Sequence, residues 1–100
     1  NGYLVKIILL LLDMKFHYDI VFLTHPKQVR FIPDSFFLKK TFVYDCMDNY
    51  KEFSGNNREE IEKLEKELLM KVDYVIASSK NLYTNLLEYG VPLKHEISDK

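Results

Sequence analysis

The chain has 100 residues, of which 47% are hydrophobic and 29% charged, the length of one domain or a piece of one and too apolar for a disordered segment. Fourteen Lys and Arg against fifteen Asp and Glu leave a net charge of −1, which excludes a general attraction to nucleic acid or acidic membranes. The one cysteine excludes an internal disulfide framework and suits a reducing compartment.

The sequence opens Asn-Gly rather than with Met, as a trimmed or excised polypeptide would. Residues 3–16 place Leu4, Ile7, Ile8, Leu11 and Met14 at helical spacing, with Leu9, Leu10 and Leu12 widening the apolar surface. This predicts a buried helix. The apolar run at 7–12 is bounded by Lys6 and Asp13 and falls far short of the roughly 20 residues a membrane span needs. It also lacks a small-residue cleavage pattern.

Asp19 precedes IVFLT, a continuous apolar run closed by His25-Pro26, which reads as a strand covered on both faces. Residues 26–40 are irregular, with DSFFLKK forming a single helical turn capped by Asp34. A second strand runs from Thr41 to Asp45, and residues 46–56 read as a loop whose clearest break is Ser54-Gly55-Asn56-Asn57. Asn57 then caps a long helix, with Glu60 placed as the return half of a capping box and Ile61, Leu64, Leu68 and Val72 as its apolar stripe. Glu65 lies beside that stripe. It is either a carboxylate directed along the core edge toward a cleft or a surface acid near Lys66 or Lys71, the commoner arrangement. YVIASS is a third strand. Ser79 caps a last helix in which Leu82, Leu86 and Tyr89 share a face and Gly90 supplies the stop before Pro92.

Continuous apolar strands alternating with amphipathic helices predict an α/β fold, a Rossmann-like parallel sheet flanked by helices. Right-handed crossovers would set every strand's carboxyl end on one edge, where ligands of open α/β sheets bind. Thr24-His25, the stretch from Asp45 to Asp48, and Ser78-Ser79 all follow strand ends. With glycine only at 2, 55 and 90, no phosphate-cradling loop is present. The expectation is an incomplete doubly wound domain lacking its first βα units.

Asp45 and Asp48 can share one site, one serving as general base or hydroxyl contact while the other orients it, or either can form an Asx turn. His25 can bind a hydroxyl or phosphate, shuttle a proton, or hold a neighbouring loop. Ser78-Ser79 can bind an anion or simply cap a helix. Cys46 has no sequence-adjacent cation and reads as an inert thiol. His17, His25, His95 and Cys46 show no metal-ligand spacing, and no nucleic-acid signature is present.

The segments YDIVFLTHP, FVYDCMDNYKEF and EKELLMKVDYVIASSKNLYTNLLEYGVP, in that order, resemble the amino-terminal half of GT-B glycosyltransferases of the group 1, GT4-like kind. The similarity covers roughly residues 18–92 and rests on the succession of elements rather than on any one motif. It implies that residues 1–100 belong to the acceptor-side domain of a two-domain transferase acting in bacterial surface polysaccharide synthesis. The parent would sit in the cytoplasm, at or near the inner face of the membrane. It would move a sugar from a nucleotide-sugar donor to a glycan or lipid-linked acceptor. The donor-binding half is absent, so the chain would bind no cofactor and be inactive alone. Carried over residue by residue, Asp48 is the first candidate for a base or acceptor contact, with Asp45 beside it and His25 and Ser79 as substrate contacts. The glycine-containing first strand-to-helix turn of the family is missing. An alternative is a non-enzymatic α/β interaction module, partnered or self-associating through its apolar first helix.

Overall fold

Four short strands, all parallel, form one sheet in the order β1-β2-β3-β4 in the computed structural model, which describes residues 2–16, 19–53, 55, 57–92 and 95–98. The strands are β1 (Ile20–Leu23), β2 (Thr41–Cys46), β3 (Tyr74–Ala77) and β4 (His95–Ser98). The helices are α1 (Gly2–Phe16), α2 (Asp34–Lys39), α3 (Arg58–Lys71) and α4 (Lys80–Leu87), with 3-10 helices at Pro26–Phe31 and Tyr50–Glu52. The parallel α/β reading holds. β4 is additional to the three strands expected. Ser54 and Asn56 of the expected loop break, and His17, lie outside the described residues.

Each strand pairs only with its sequence neighbours, and the order never reverses. Right-handed crossovers that always step the same way put every connection on one face. The pleat sends Val21, Leu23, Phe42, Tyr44, Cys46 and Val75 to that face, where they meet Leu64, Leu68 and Leu69 of α3 and Leu86 of α4. Phe42 and Tyr44 are 0% exposed. The opposite face carries Ile20, Phe22, Val43, Tyr74 and Ile76, aligned by Phe22↔Val43 and Val43↔Tyr74. Ile20 and Phe22 are each 60% exposed. The expectation that the first strand is covered on both faces is therefore corrected: an unbroken apolar run does fit a covered strand, but here one side stands open.

α1 forms as its composition dictates, with glycine only at its first position and no proline. It is not buried. Leu9 packs against the core and Asp13 pairs with Lys40, yet Leu4 and Leu11 are each 59% exposed. The reason is placement: α1 lies beside the first 3-10 helix, its Gly2 next to the Arg30 carbonyl and the Phe31 ring, rather than across the sheet.

The capping expectations divide. The Asn57 side chain accepts from Glu60 N at 3.1 Å, starting α3 as foreseen. Glu60 does not reach back; its carboxylate pairs with Arg30 at 2.5 Å. Asp34 is the first residue of α2 rather than its cap, which is Pro33 and makes no side-chain bond. Gly90, at φ +72, takes the left-handed conformation that ends the α4 segment without a Cβ clash.

Candidate functional site

The carboxyl ends of β1, β2 and β3 share one rim because the strands run the same way. Leu23 pairs with Tyr44, and Cys46 with Ala77, so the three strands stop close to one level. From that rim emerge Thr24-His25, Met47-Asp48 and Ser78-Ser79.

Backbone and side-chain bonds tie these exits together. Ser78 N donates to the Cys46 carbonyl at 3.1 Å, and Ser78 Oγ donates to the Met47 carbonyl at 3.2 Å. Tyr50, on the short 3-10 helix after Asp48, reaches back to β1. Its hydroxyl donates to the Thr24 carbonyl at 2.8 Å, and its ring lies against the His25 imidazole with centroids 4.5 Å apart. Burial, then the charge of Asp48, holds the Tyr50 phenol above its ordinary range. Tyr50 thus joins the His25 and Asp48 sides of the rim. The sequence reading passed over it, although an aromatic two residues after Asp48 was a visible signal.

His25 starts the first 3-10 helix. Its Nδ1 accepts from Lys27 N at 3.0 Å, while the Gln28 side chain accepts from Thr24 N at 2.8 Å and His25 N at 3.1 Å. Pro26 follows at the first helical position, where its missing N–H costs nothing. Burial, and then the nearby Lys27 charge, lowers the imidazole pKa, against a smaller opposing pull from Glu65.

Asp48 is exposed. Its backbone carbonyl accepts from Cys46 Sγ at 3.6 Å, and its carboxylate has no polar partner among the described residues. Asp45 alternates with the inward-facing Tyr44 and Cys46, so its half-buried side chain lies on the open face of the sheet. Asp45 therefore sits within β2, whereas Asp48 lies in the loop that follows it. Ser79 Oγ accepts from Leu82 N at 3.2 Å and caps α4, a bond worth about 1 kcal/mol. Cys46 is buried and its thiol is pushed up to about 11 by that burial, so it stays protonated at neutral pH.

Beneath the rim sits a carboxylate whose burial the sequence did not reveal. Glu65 is 4% exposed, correcting the surface arrangement favoured above. Tyr44 OH donates to its Oε2 at 2.5 Å and Tyr89 OH to its Oε1 at 2.6 Å. Both phenols are raised in pKa, first by burial and then by the carboxylate they bind. Two phenols thereby replace the water that a buried carboxylate loses. The cluster joins β2, α3 and the end of the α4 segment below the rim.

Chemically, the rim offers an open carboxylate at Asp48, an imidazole ring at His25 and a second acid to one side. No helix among the described residues is long and apolar enough to cross a membrane. No protein-family profile, no curated protein and no solved structure matches the chain.

Proposed function

We propose that the chain is part of the acceptor-side domain of a GT-B-type glycosyltransferase, which transfers a sugar from a nucleotide-sugar donor to a glycan or lipid-linked acceptor. The observation that carries this reading is the gathering of His25, Asp48 and Ser79 at the carboxyl ends of three parallel strands, the first two sides joined by Tyr50 and the third tied in by Ser78. The ordered likeness of residues 18–92 to that family supports it. The open apolar face supports it as well, since a doubly wound sheet carries helices on both sides. On this reading further βα units complete the domain, a second domain binds the nucleotide-sugar, and the chain by itself is inactive. The working location is the cytoplasm, at the inner face of the membrane where lipid-linked acceptors are made.

Asp48 is the acceptor-hydroxyl carboxylate in this scheme, either as base or as hydrogen-bond acceptor. In the full-length transferase, Asp48→Asn is expected to lower turnover about 100-fold or more if Asp48 is the base. The melting temperature should hold, because the side chain is exposed and makes no polar contact among the described residues. Transfer of labelled sugar from nucleotide-sugar donors, beside thermal melting, reads both quantities. Unchanged turnover would remove Asp48 from the site.

A second reading, a non-enzymatic interaction module, is favoured by the outward apolar row of α1, in which Leu4, Ile7, Ile8 and Leu11 are all exposed. It expects sedimentation of the purified chain to show association that grows with concentration. A folded chain that stays monomeric throughout counts against it.

A further inference from the structure

A neutral imidazole has one N–H and one lone pair, and which nitrogen holds the proton follows from the bond the other makes. In His25 the Nδ1 lone pair is already used, because Lys27 N donates to it at 3.0 Å. The neighbouring Gln28 side chain accepts from the backbone N–H groups of Thr24 and His25, and Tyr50 lies against the ring, so the imidazole is held in place from two sides. The proton of the neutral ring therefore sits on Nε2, for which the described residues offer no partner. Taking up a second proton at Nδ1 would turn the cap's acceptor into a donor facing the Lys27 N–H. This ring is poorly suited to shuttle protons and well suited to give one fixed hydrogen bond.

We propose that His25 is a donor-only positioning residue, presenting Nε2–H at the rim to the oxygen of a sugar hydroxyl rather than acting as a base. Asp48, on the other side of the rim, gives the reason for a hydroxyl. A hydroxyl both donates and accepts, and the two sides of the rim joined by Tyr50 supply a carboxylate acceptor and an imidazole donor. The sugar assignment rests on the transferase reading above, whereas the position of the proton does not.

The charged and titratable groups near the ring are Lys27 on its own helix, Glu65 on α3 and the Tyr50 phenol. Burial and Lys27 depress the folded pKa below the ordinary 6.5. The ring therefore favours the folded state fully above that unfolded value, and the contribution is lost as pH falls through the folded pKa. The neutral donor consequently persists into mildly acidic solution.

Two substitutions separate the roles. In His25→Asn the amide oxygen can take the Lys27 N–H and keep the cap, but nothing replaces Nε2. In His25→Gln the amide nitrogen can reach the Nε2 position, but the cap is lost. The experiment is long-range ¹⁵N–¹H NMR of the His25 ring in the full chain, followed by titration with glucose, galactose and mannose at high millimolar concentration. The expected result is an Nε2–H ring near neutral pH whose signals move with at least one sugar. His25→Asn should retain the melting temperature but bind that sugar about three- to tenfold more weakly, the range of one neutral hydrogen bond. His25→Gln should melt lower yet bind within about threefold of the wild type, since its amide replaces that same bond. An Nδ1–H ring overturns the proposal whatever the chain's function. Undiminished sugar binding by His25→Asn also overturns it, leaving His25 as a cap alone. An Nε2–H ring that responds to none of the sugars overturns the hydroxyl assignment and the acceptor-site reading beneath it, while the proton's position stands.

Discussion

Glu65→Ala is expected to destabilise the fold by about 3 kcal/mol, the largest effect of a polar substitution among the described residues. Both carboxylate oxygens of Glu65 are occupied by phenols, from Tyr44 at 2.5 Å and Tyr89 at 2.6 Å. Tyr44 is 0% exposed, so its hydroxyl has no solvent to turn to once the acceptor is gone. The truncation also leaves a cavity between α3 and β2, which a close-packed interior refills only in part. For a domain of this size the loss corresponds to a fall in melting temperature on the order of 15 °C. Glu65→Gln keeps one oxygen for one phenol and the shape of the side chain, and should cost about 1 kcal/mol. Equilibrium urea unfolding of both variants against the wild type measures the difference. An Ala variant within about 1 kcal/mol of the wild type would show that the phenols find other partners, and the cluster would lose its place as a structural keystone.

The second large effect tests which side of the sheet holds the core. Phe42 and Phe22 sit on neighbouring strands, one residue out of register, since Val21 pairs with Phe42 and Phe22 with Val43. The pleat therefore sends them to opposite faces. Phe42 is 0% exposed and its ring lies 4.3 Å from that of Phe37, whereas Phe22 is 60% exposed. Phe42→Ala should cost about 4 kcal/mol, lost transfer energy plus a cavity. Phe22→Ala should change stability by less than about 1 kcal/mol. Hydrogen exchange of the strand amides, beside denaturant melts, reads both. Equal losses at the two positions would mean that the open face is covered in solution, and that this layer matters as much as the helical one.

How much of this was legible follows from the range over which each feature is determined. The Asn57 and Ser79 caps and the Gly90 stop are local: a side chain or a backbone angle acts within three residues, and the sequence announces it. The parallel rim was legible because alternating strands and helices leave few topologies open. Glu65 was not, because its phenols lie 21 and 24 positions away and meet it only through the packing of α3 on β2. The His25 cap was missed for another reason: histidine is not a usual helix-starting residue, and Pro26 after it was the better clue. IVFL gives no internal sign of whether its second face is covered, since burial there depends on what lies across the sheet. The same limit applied to Asp45. Its alternation with Tyr44 and Cys46 follows from the pleat, but only packing settles which parity faces the core.

Because every strand touches only the one before it and the one after it in the chain, the sheet can be assembled vectorially, each newly made unit docking on an edge that already exists. No early strand has to wait for a distant one, so loop-closure entropy is spent in short instalments. β2, flanked on both sides and carrying Phe42, Tyr44 and Cys46, is where two docking events meet. Damage there severs the growing sheet in the middle, while damage to β4 at the far margin leaves the earlier seams intact.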